Sequence, residues 1–263
     1  MSELYVRVSV LQLVATGALV LLNFALSAAL GLGLSRSLAV ASTRMVVQLL
    51  LVGLVLEWLF QMENPLFVIG VGFVMSVVAG RAAVSRSKRR FAGAYWDGFV
   101  SVFGASVLVT GVVVGGILRV EPWYAPQYVI PMLGMVLGNT LNGISLALDR
   151  LTEELQSQAA RVEALLALGA LRWEAAKAPV RAALRTGMTP IINAMTVMGL
   201  VSLPGMMTGQ ILAGRTPDDA VRYQIVIAFM IVAATALGTL AMVLLAYRRL
   251  MSPDHRLRLD RLQ

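Results

Sequence analysis

The sequence predicts an all-α integral membrane protein, a polytopic bundle of about seven transmembrane helices with a helix–turn–helix on its cytoplasmic side. Hydrophobic residues make up 58% of the 263 residues and charged residues only 14%, whereas about a quarter of the residues in soluble domains are charged. Long apolar runs cover most of the chain, and the longest charged interval, 149–187, lies between two of them. These observations predict a single transmembrane domain over residues 1–263.

Composition also excludes several kinds of site. The chain has no cysteine, which excludes disulfides and thiolate metal sites. Its single histidine, His255, lies in the C-terminal tail, which excludes a multi-histidine metal site or proton relay within one chain. The net charge is +8, but no basic run is interleaved with aromatic residues, so we expect no nucleic-acid partner.

Seven apolar runs approach the ~20 residues that a helix needs to cross about 30 Å of hydrocarbon. These runs are 8–30, 44–60, 65–83, 98–118, 128–148, 188–203 and 223–247. The Asn64–Pro65 step separates the second from the third, and Glu121 with Pro122 marks the break between the fourth and the fifth. The first run is too long for a signal-peptide core, and Glu3 and Arg7 do not make its leader clearly basic. We therefore interpret it as an uncleaved spanning helix.

Lysine and arginine predict the orientation, because they concentrate on the cytoplasmic side of membrane proteins. One side of the predicted bundle holds 18 of the 22 basic residues. That side comprises 31–43, 84–97, 149–187 and the tail from 248, with Arg44 and Arg81 at the adjoining helix ends. The other side holds Arg7, Arg119, Arg215 and Arg222. We therefore expect the N-terminus outside and the C-terminus in the cytoplasm.

The charged interval predicts a short helix–turn–helix on the membrane surface. Apolar residues recur in it at helical spacing: Leu151, Leu155, Val162, Leu165 and Leu166. Gly169 then breaks the helix, and the segment ALRWEAAKA begins the next one. Two interpretations are open: a solvated amphipathic loop, or a docking element for a soluble partner.

Residues 204–214 interrupt the sixth span. Pro204 removes a backbone donor and Gly205 loosens the chain, so some carbonyl groups at this depth lose their helical partners. The segment is either re-entrant, as in transporters whose broken helices mark the substrate path, or an external amphipathic helix after a proline-ended span. An eighth crossing is disfavoured because it would place the basic tail outside. Three glycine pairs are expected to allow close helix packing: Gly205/Gly209, Gly111/Gly115 and Gly134/Gly138.

Two spans carry polar stripes. The stripe of the fifth span is Asn139, Asn142, Ser145 and Asp149, and that of the sixth is Thr189, Asn193 and Thr196. Because polar groups that face lipid are costly, we expect these faces to meet other helices through interhelical hydrogen bonds or to line a translocation path.

Candidate metal-binding groups are few. Glu57, near the outer end of the second span, could collect a cation, although such a residue often only reaches the headgroup water. The 14 methionines suggest a soft-metal path. Its candidates are Met206 with Met207 and Met132 with Met135, although packing is the more common role of methionine.

The chain contains no G-x-x-x-x-G-K-[ST] segment and therefore no phosphate-binding loop of its own. No serine–histidine–aspartate set or other catalytic constellation is present either, so we expect no enzyme. If transport is active, either another polypeptide hydrolyses ATP or the helices carry an ion-coupling site.

Several motifs resemble those of a known family. The segment EALLALGA, which begins at Glu163, resembles the EAA loop through which ABC-transporter permeases dock on their ATPases. That loop usually continues to an Ile-x-Leu-Pro ending, which this chain lacks; Pro179 and Thr189–Pro190 stand in that neighbourhood instead. Segments 130–150, 189–214 and 223–250 resemble the FetB (YbbM) permease family. That family comprises ABC permeases associated with iron export, with plant aluminium-resistance half-transporters as relatives, and the resemblance extends over about 40–250.

The resemblance implies a permease subunit of the cell inner (plasma) membrane that exports iron or another metal and has no ATP site of its own. Its partners would be a cytoplasmic ABC ATPase of the FetA kind, which binds ATP and magnesium, and a second copy of the chain in a two-plus-two complex. The implied ATPase-coupling residues are Glu163, Ala164 and Gly169, with Leu165, Leu166 and Leu168 presented for burial. The candidate translocation path comprises Asn139, Asn142, Ser145, Thr189, Asn193, Pro204, Gly205, Met206, Met207 and Gln210.

Two alternatives stay open. The chain could be an ABC permease for an organic solute such as a nucleotide-sugar, or a secondary transporter or channel that needs no ATPase. Hard iron ions favour carboxylate or imidazole ligands, and the predicted spans contain few of either, so a tight iron site in the pore is not expected. Copurification of a stimulated ATPase would separate these alternatives.

Overall fold

The computed structural model describes residues 8–61 and 64–262, so Glu3 and Arg7, on which the leader prediction rests, lie outside the described residues. The described residues form two compact units. One unit holds 8–61 and 210–215, and the other holds 64–209 and 216–262. Helices provide the regular structure of both units, which confirms the predicted all-α fold.

The first unit contains two apolar helices, α1 (Val10–Ala29) and α2 (Ser35–Phe60). The Ser27 hydroxyl accepts a hydrogen bond from the Leu34 backbone N–H at 3.1 Å and ties the helices together at their turn. The predicted run 44–60 is wrong at its start, because α2 begins at Ser35. Gly33 is the last helix-breaking residue before α2. Because no glycine or proline lies between Gly33 and residue 44, the helix can begin earlier than predicted.

Seven further helices follow along the described chain, and proline opens several of them. They are α3 (Pro65–Ser85), α4 (Ala94–Gly111), α5 (Pro126–Ser157), α6 (Ala159–Ala167), α7 (Arg172–Val197), α8 (Gly205–Leu212) and α9 (Pro217–Leu250). A π-helical segment, Val112–Ile117, continues α4. Pro65, Pro126 and Pro217 each stand in the first helical turn, where a missing N–H costs nothing. The predicted breaks before the third and fifth spans are therefore confirmed.

The prediction of the sixth span as 188–203 is wrong at both ends. α7 is one continuous helix from Arg172 to Val197, and a turn follows in which Gly199 has a φ of 86°. The basic residues of 172–187 led to the expectation of a loop. In the structure Lys177, Arg181 and Arg185 are exposed and spaced by four residues, so they lie along one face of the helix.

The count of membrane spans agrees with the prediction of about seven. Among the described residues, six helices are long and apolar enough to cross a membrane, judged by length and composition only: α1, α2, α3, α4 with its π-helical continuation, α5 and α9. α7, which contains most of the sixth predicted span, is not among these six; it has 26 residues, or about 39 Å of helix, and packs along both α5 and α9. α8 has eight residues, which is too short for an eighth crossing.

Glycine residues allow close helix packing in the second unit, but they are not those of the predicted pairs. A Cβ atom added at Gly80 would lie 2.7 Å from the Cα atom of Phe99, and one added at Gly187 would lie 2.7 Å from the carbonyl oxygen of Gly143. Of the predicted pairs, Gly134 alone would make contact, with the Met75 side chain. Within the described residues, a Cβ atom would meet no other heavy atom within 4 Å at Gly111, Gly115, Gly138, Gly205 or Gly209.

Candidate functional site

One end of the second unit carries the predicted helix–turn–helix, and we call it the basic end. It comprises residues 86–93, 158–171 and 251–262, where α3, α5 and α9 end and α4 and α7 begin. Lysine or arginine occurs in each of these segments. The basic end therefore corresponds to part of the surface on which the sequence concentrates its positive charge.

The helix–turn–helix is formed by α6, the turn at Gly169 and the start of α7. Gly169 has a φ of 91°; its N–H donates to the Leu166 carbonyl, and the Ala170 N–H donates to the Leu165 carbonyl, both at 3.0 Å. This is the Schellman arrangement that ends helices at glycine. Glu174 Oε2 accepts a hydrogen bond of 2.8 Å from the Leu171 N–H and caps α7. Local sequence chemistry thus determines this turn, as predicted.

α6 has one face packed on its own bundle and one free face. Val162 is buried, and Leu165 and Leu166 pack against the main core. Leu165 and Leu166 are thus half-buried against their own chain, and their predicted contact with a partner stays a prediction. The side chain of Leu168, by contrast, is 85% exposed. We call the exposed side of α6 and its turn the free face; its residues are Arg161, Glu163, Ala164, Ala167, Leu168 and Gly169.

The first turn of α7 is held by α9 and by the C-terminal tail. The Arg172 backbone N–H donates to His255 Nδ1 at 3.1 Å. The Trp173 ring packs edge-on against Tyr247 with 5.4 Å between centroids, and the Arg172 guanidinium lies 6.0 Å from the centre of the same tyrosine ring. The single histidine of the chain therefore has a structural contact here.

An ion pair joins the start of α4 to the end of α9. Arg249 Nη2 donates to Asp97 Oδ1 at 2.8 Å, and Arg249 Nε donates to Asp97 Oδ2. The Asp97 side chain is 3% exposed and that of Arg249 is 40% exposed. A Cβ atom at Gly93, which has a φ of 89°, would lie 2.7 Å from this guanidinium, so glycine permits the close approach.

The tail after α9 folds back on the basic end. The Arg258 N–H donates to the Leu250 carbonyl at 2.8 Å, and Arg261 Nη1 donates to the Arg249 carbonyl at 2.9 Å. Hydrogen bonds from Arg258 lower the pKa of the neighbouring Asp260 carboxyl below its ordinary value. The tail thus forms part of the surface that carries α6.

The polar stripe of α5 contacts the segment after α3. Asn142 Oδ1 accepts a hydrogen bond of 2.6 Å from Arg86 Nη1, and Asp149 Oδ1 accepts from the Ser87 hydroxyl at 2.7 Å and the Lys88 N–H at 2.8 Å. These two residues therefore form hydrogen bonds to the segment that connects α3 and α4, not to a second helix. Two other members lie elsewhere on α5: the half-buried Asn139, whose amide donates to the carbonyl of its own helix, and the buried Ser145.

The polar stripe of α7 lies on the surface of the chain. Thr189, Asn193 and Thr196 are exposed, and Ile191 alone is buried among residues 189–197. The Thr189 and Thr196 hydroxyls donate to carbonyl groups of their own helix. The outer half of α7 therefore carries polar side chains that are exposed in the described part of the chain.

The remaining predicted residues are scattered. Pro204 and Met207 line a cavity of about 370 Å³ between the end of α7 and α9, whereas Gly205 and Glu57 are exposed. Met206 and Gln210 on α8 are half-buried. Met132 is buried in an apolar cluster against which Met135 packs, so these two methionines have a packing role.

Sequence reasoning missed the buried polar residue that lines this cavity. Gln224 on α9 is 8% exposed, lines the same cavity as Met207, and its Oε1 has no hydrogen-bond partner among the described residues. In the sequence, Gln224 is marked only as a single amide near the start of the apolar run 223–247.

These features define a polytopic α-helical membrane protein with a helix–turn–helix exposed at its basic end. The family model described as "Uncharacterised protein family (UPF0014)" matches residues 10–251, and the chain belongs to this family. No solved structure matches it.

Three relatives indicate how widely the family occurs. A UPF0014 membrane protein of Synechocystis is 38% identical over 83% of this chain and 85% of its own length. The "probable iron export permease protein FetB" of Escherichia coli is 30% identical over 86% of each chain. The "protein ALUMINUM SENSITIVE 3" of Arabidopsis thaliana is 33% identical over 84% of this chain and 80% of its own length. The resemblance to the FetB family is thereby confirmed.

Proposed function

We propose that this chain is the membrane permease subunit of an ATP-binding-cassette transporter in the inner (plasma) membrane. The observation that carries the proposal is the free face of α6, an exposed surface that includes Glu163 and Leu168 on a helix–turn–helix held by backbone hydrogen bonds. The chain has no phosphate-binding loop, so ATP and magnesium bind to a separate cytoplasmic ATPase subunit. The similarity to the "probable iron export permease protein FetB" of Escherichia coli supports export of iron or another metal ion.

The positions of the basic residues support a cytoplasmic location for α6. Arg86, Arg161 and Arg258 are three of the basic residues at the end where α6 lies, and such residues concentrate on the cytoplasmic side. With seven spans, the N-terminus then lies outside. A soluble ATPase reaches the free face of α6 only in this orientation.

α7 transmits the movement of the ATPase. Nucleotide-driven closure displaces α6, and the displacement reaches α7 because the Schellman turn and the Glu174 cap connect the two helices without a flexible linker. α7 then continues without interruption past Gly187 to Val197. All but one of residues 189–197 are exposed in the described part of the chain, so the outer half of α7 could take two positions, as coupling requires.

The exposed polar residues of α7 support a two-plus-two complex. Thr189 and Asn193 lie at the surface of a span, where contact with lipid is unfavourable. A second copy of the chain across this face would place these groups, with Asn139, around a path for cargo, by which we mean the transported ion or solute. Movement of α7 would open and close that path.

The absence of cysteine from the chain permits a direct test of the orientation. A single cysteine at Leu168, which is 85% exposed, should react with a membrane-impermeant maleimide only from the cytoplasmic side. The matched control is a single cysteine at Leu200, which is 90% exposed beyond the other end of α7 and should react only from outside. Exterior labelling of the Leu168→Cys variant would refute the proposal.

The coupling role is tested with the permease and its ATPase in lipid vesicles. We expect ATP-dependent movement of a metal ion, and we expect Gly169→Pro and Glu163→Arg to insert normally but to abolish the transport-linked hydrolysis of ATP. Iron should be compared with a panel of organic solutes. Full coupled activity of both variants, or transport by the permease alone, would contradict the proposal.

A further inference from the structure

The cavity of about 370 Å³ lies where the chain leaves α7, at the end of the second unit opposite the basic end. The turn after α7, the start of α8 and the outer half of α9 form its walls. Met198 ends α7 in an extended conformation, and Gly199 follows with a φ of 86°. The sequence predicted an interruption of the helix here, and the interruption forms one wall of the cavity. The helix ends several residues before Pro204, where the sequence placed the break.

Three methionine side chains line this cavity: Met195, Met198 and Met207. Met206, the sequence neighbour of Met207, does not line it. Thioether sulfur is a soft, neutral donor that selects Cu(I) and similar ions over hard cations. Methionine also fills irregular gaps, so three thioethers alone would not distinguish a site from packing.

Gln224 supplies an independent observation. Gln224 is 8% exposed and lines the cavity, and its side-chain oxygen has no hydrogen-bond partner among the described residues. Buried polar atoms are normally paired, and each exception requires an explanation. A bound cation would satisfy the Gln224 oxygen and would account for a buried amide among the residues that line the cavity with the three methionines.

We propose that this cavity binds one soft monovalent cation of the Cu(I) and Ag(I) class through the thioethers of Met195, Met198 and Met207 and the side-chain oxygen of Gln224. All four donors are neutral. A divalent or trivalent ion in such apolar surroundings would require carboxylates. The described residues contain no group of three or more histidine, cysteine, aspartate or glutamate side chains that could hold such an ion.

Binding at this site does not depend on the proposed transport function, but a role for the bound ion as cargo does rest on it. Under that function the site would lie at the outer end of α7, the helix that α6 displaces. A change in the position of Met195 and Met198 relative to α9 would then alter the affinity for the ion during the transport cycle.

The test uses the purified full-length chain in detergent, without ATPase, and silver(I) as a probe that needs no reductant. Equilibrium dialysis in chloride-free buffer, with metal analysis of both compartments, should give one tightly bound silver ion per chain. Met198→Leu and Met207→Leu should each weaken binding by at least about tenfold, since loss even of a residue that only supports a metal ligand commonly costs that much affinity. X-ray absorption of the bound silver should show sulfur neighbours.

Met206→Leu is the matched control, because it removes the adjacent thioether without changing the cavity lining, and it should bind silver as the unaltered chain does. Leucine conserves most of the methionine volume, and gel filtration and circular dichroism verify that each variant is folded. Absence of silver binding overturns the proposal. It is equally overturned if Met198→Leu and Met207→Leu bind normally, which would assign the silver to exposed thioethers elsewhere, or if ferrous iron displaces the silver. None of these results bears on docking of the ATPase.

Discussion

Gly143 of α5 and Gly187 of α7 meet backbone to backbone where the two helices cross. A Cβ atom on Gly187 would lie 2.7 Å from the Gly143 carbonyl oxygen, and one on Gly143 would lie 3.1 Å from the Gly187 carbonyl oxygen. The crossing separates the basic first part of α7, which packs at the basic end, from its exposed outer half. It is therefore the point about which α7 would rotate if a partner displaced α6.

Substitution of Gly187 by alanine should destabilise the fold. The added methyl group would meet the Gly143 carbonyl oxygen and the side chains of Thr239 and Ala147 below 3.0 Å, and such overpacking costs about 1–3 kcal/mol. Gly104→Ala on α4 is the matched control, because its Cβ atom would meet no other described heavy atom within 4 Å. Denaturant-induced unfolding in detergent measures both variants. Equal stability of the two would contradict the close crossing.

The Asp97–Arg249 pair should respond asymmetrically to its two single substitutions. Arg249→Ala leaves the Asp97 carboxylate, 3% exposed, buried without a partner, and such a loss costs about 3–5 kcal/mol. Asp97→Ala leaves the Arg249 guanidinium, whose side chain is 40% exposed and reaches water, so its cost should be smaller.

The double variant of this pair provides the control. Asp97→Ala/Arg249→Ala should be more stable than Arg249→Ala alone, because it removes the unpaired buried charge. Free energies of unfolding of the four proteins form a double-mutant cycle. Equal losses for the two single variants would show that the carboxylate is better solvated than its burial indicates.

The sequence predicted the class of fold and the local turn chemistry well, because both depend on short-range patterns. Apolar runs of sufficient length reveal spans, and the Gly169 turn follows from glycine after a helical segment. The limits of α7 could not be obtained in the same way, since hydropathy assigns Lys177, Arg181 and Arg185 to a loop. Their spacing of four residues was the available sign that they share one face of a helix.

Tertiary contacts of the candidate site were less predictable. The Gly-xxx-Gly pairs mark smooth helix faces but do not say which face meets a neighbour, so Gly143 and Gly187 were missed. Residues of α8 and α9 line the same cavity at Met207. A single sequence does not show which distant segments lie close together in the fold. The partner of Asn142, Arg86, lies 56 positions away along the chain.

Substitutions of Asn139 and Asn142 should show which residues of the α5 polar stripe stabilise the fold and which take part in transport. Asn142→Leu removes the acceptor of the 2.6 Å hydrogen bond from Arg86 and should lower stability by about 0.5–1.5 kcal/mol. Asn139→Leu removes a side chain whose amide bonds only within its own helix. It should leave stability nearly unchanged but reduce transport in vesicles. The opposite pattern, with Asn139→Leu unstable and fully active, would remove Asn139 from the proposed path.

Substitutions of Leu168 and Leu165 should distinguish a role of α6 in ATPase docking from its role in the stability of the fold. Leu168 is 85% exposed, so Leu168→Glu should leave thermal unfolding unchanged and prevent the ATPase from copurifying, because the added charge would have to be buried in the interface. Leu165 packs against the core of its own chain, so Leu165→Ala should lower the unfolding temperature while the folded fraction still retains the ATPase. Normal copurification of the ATPase with Leu168→Glu would show that the free face of α6 is only a solvated surface.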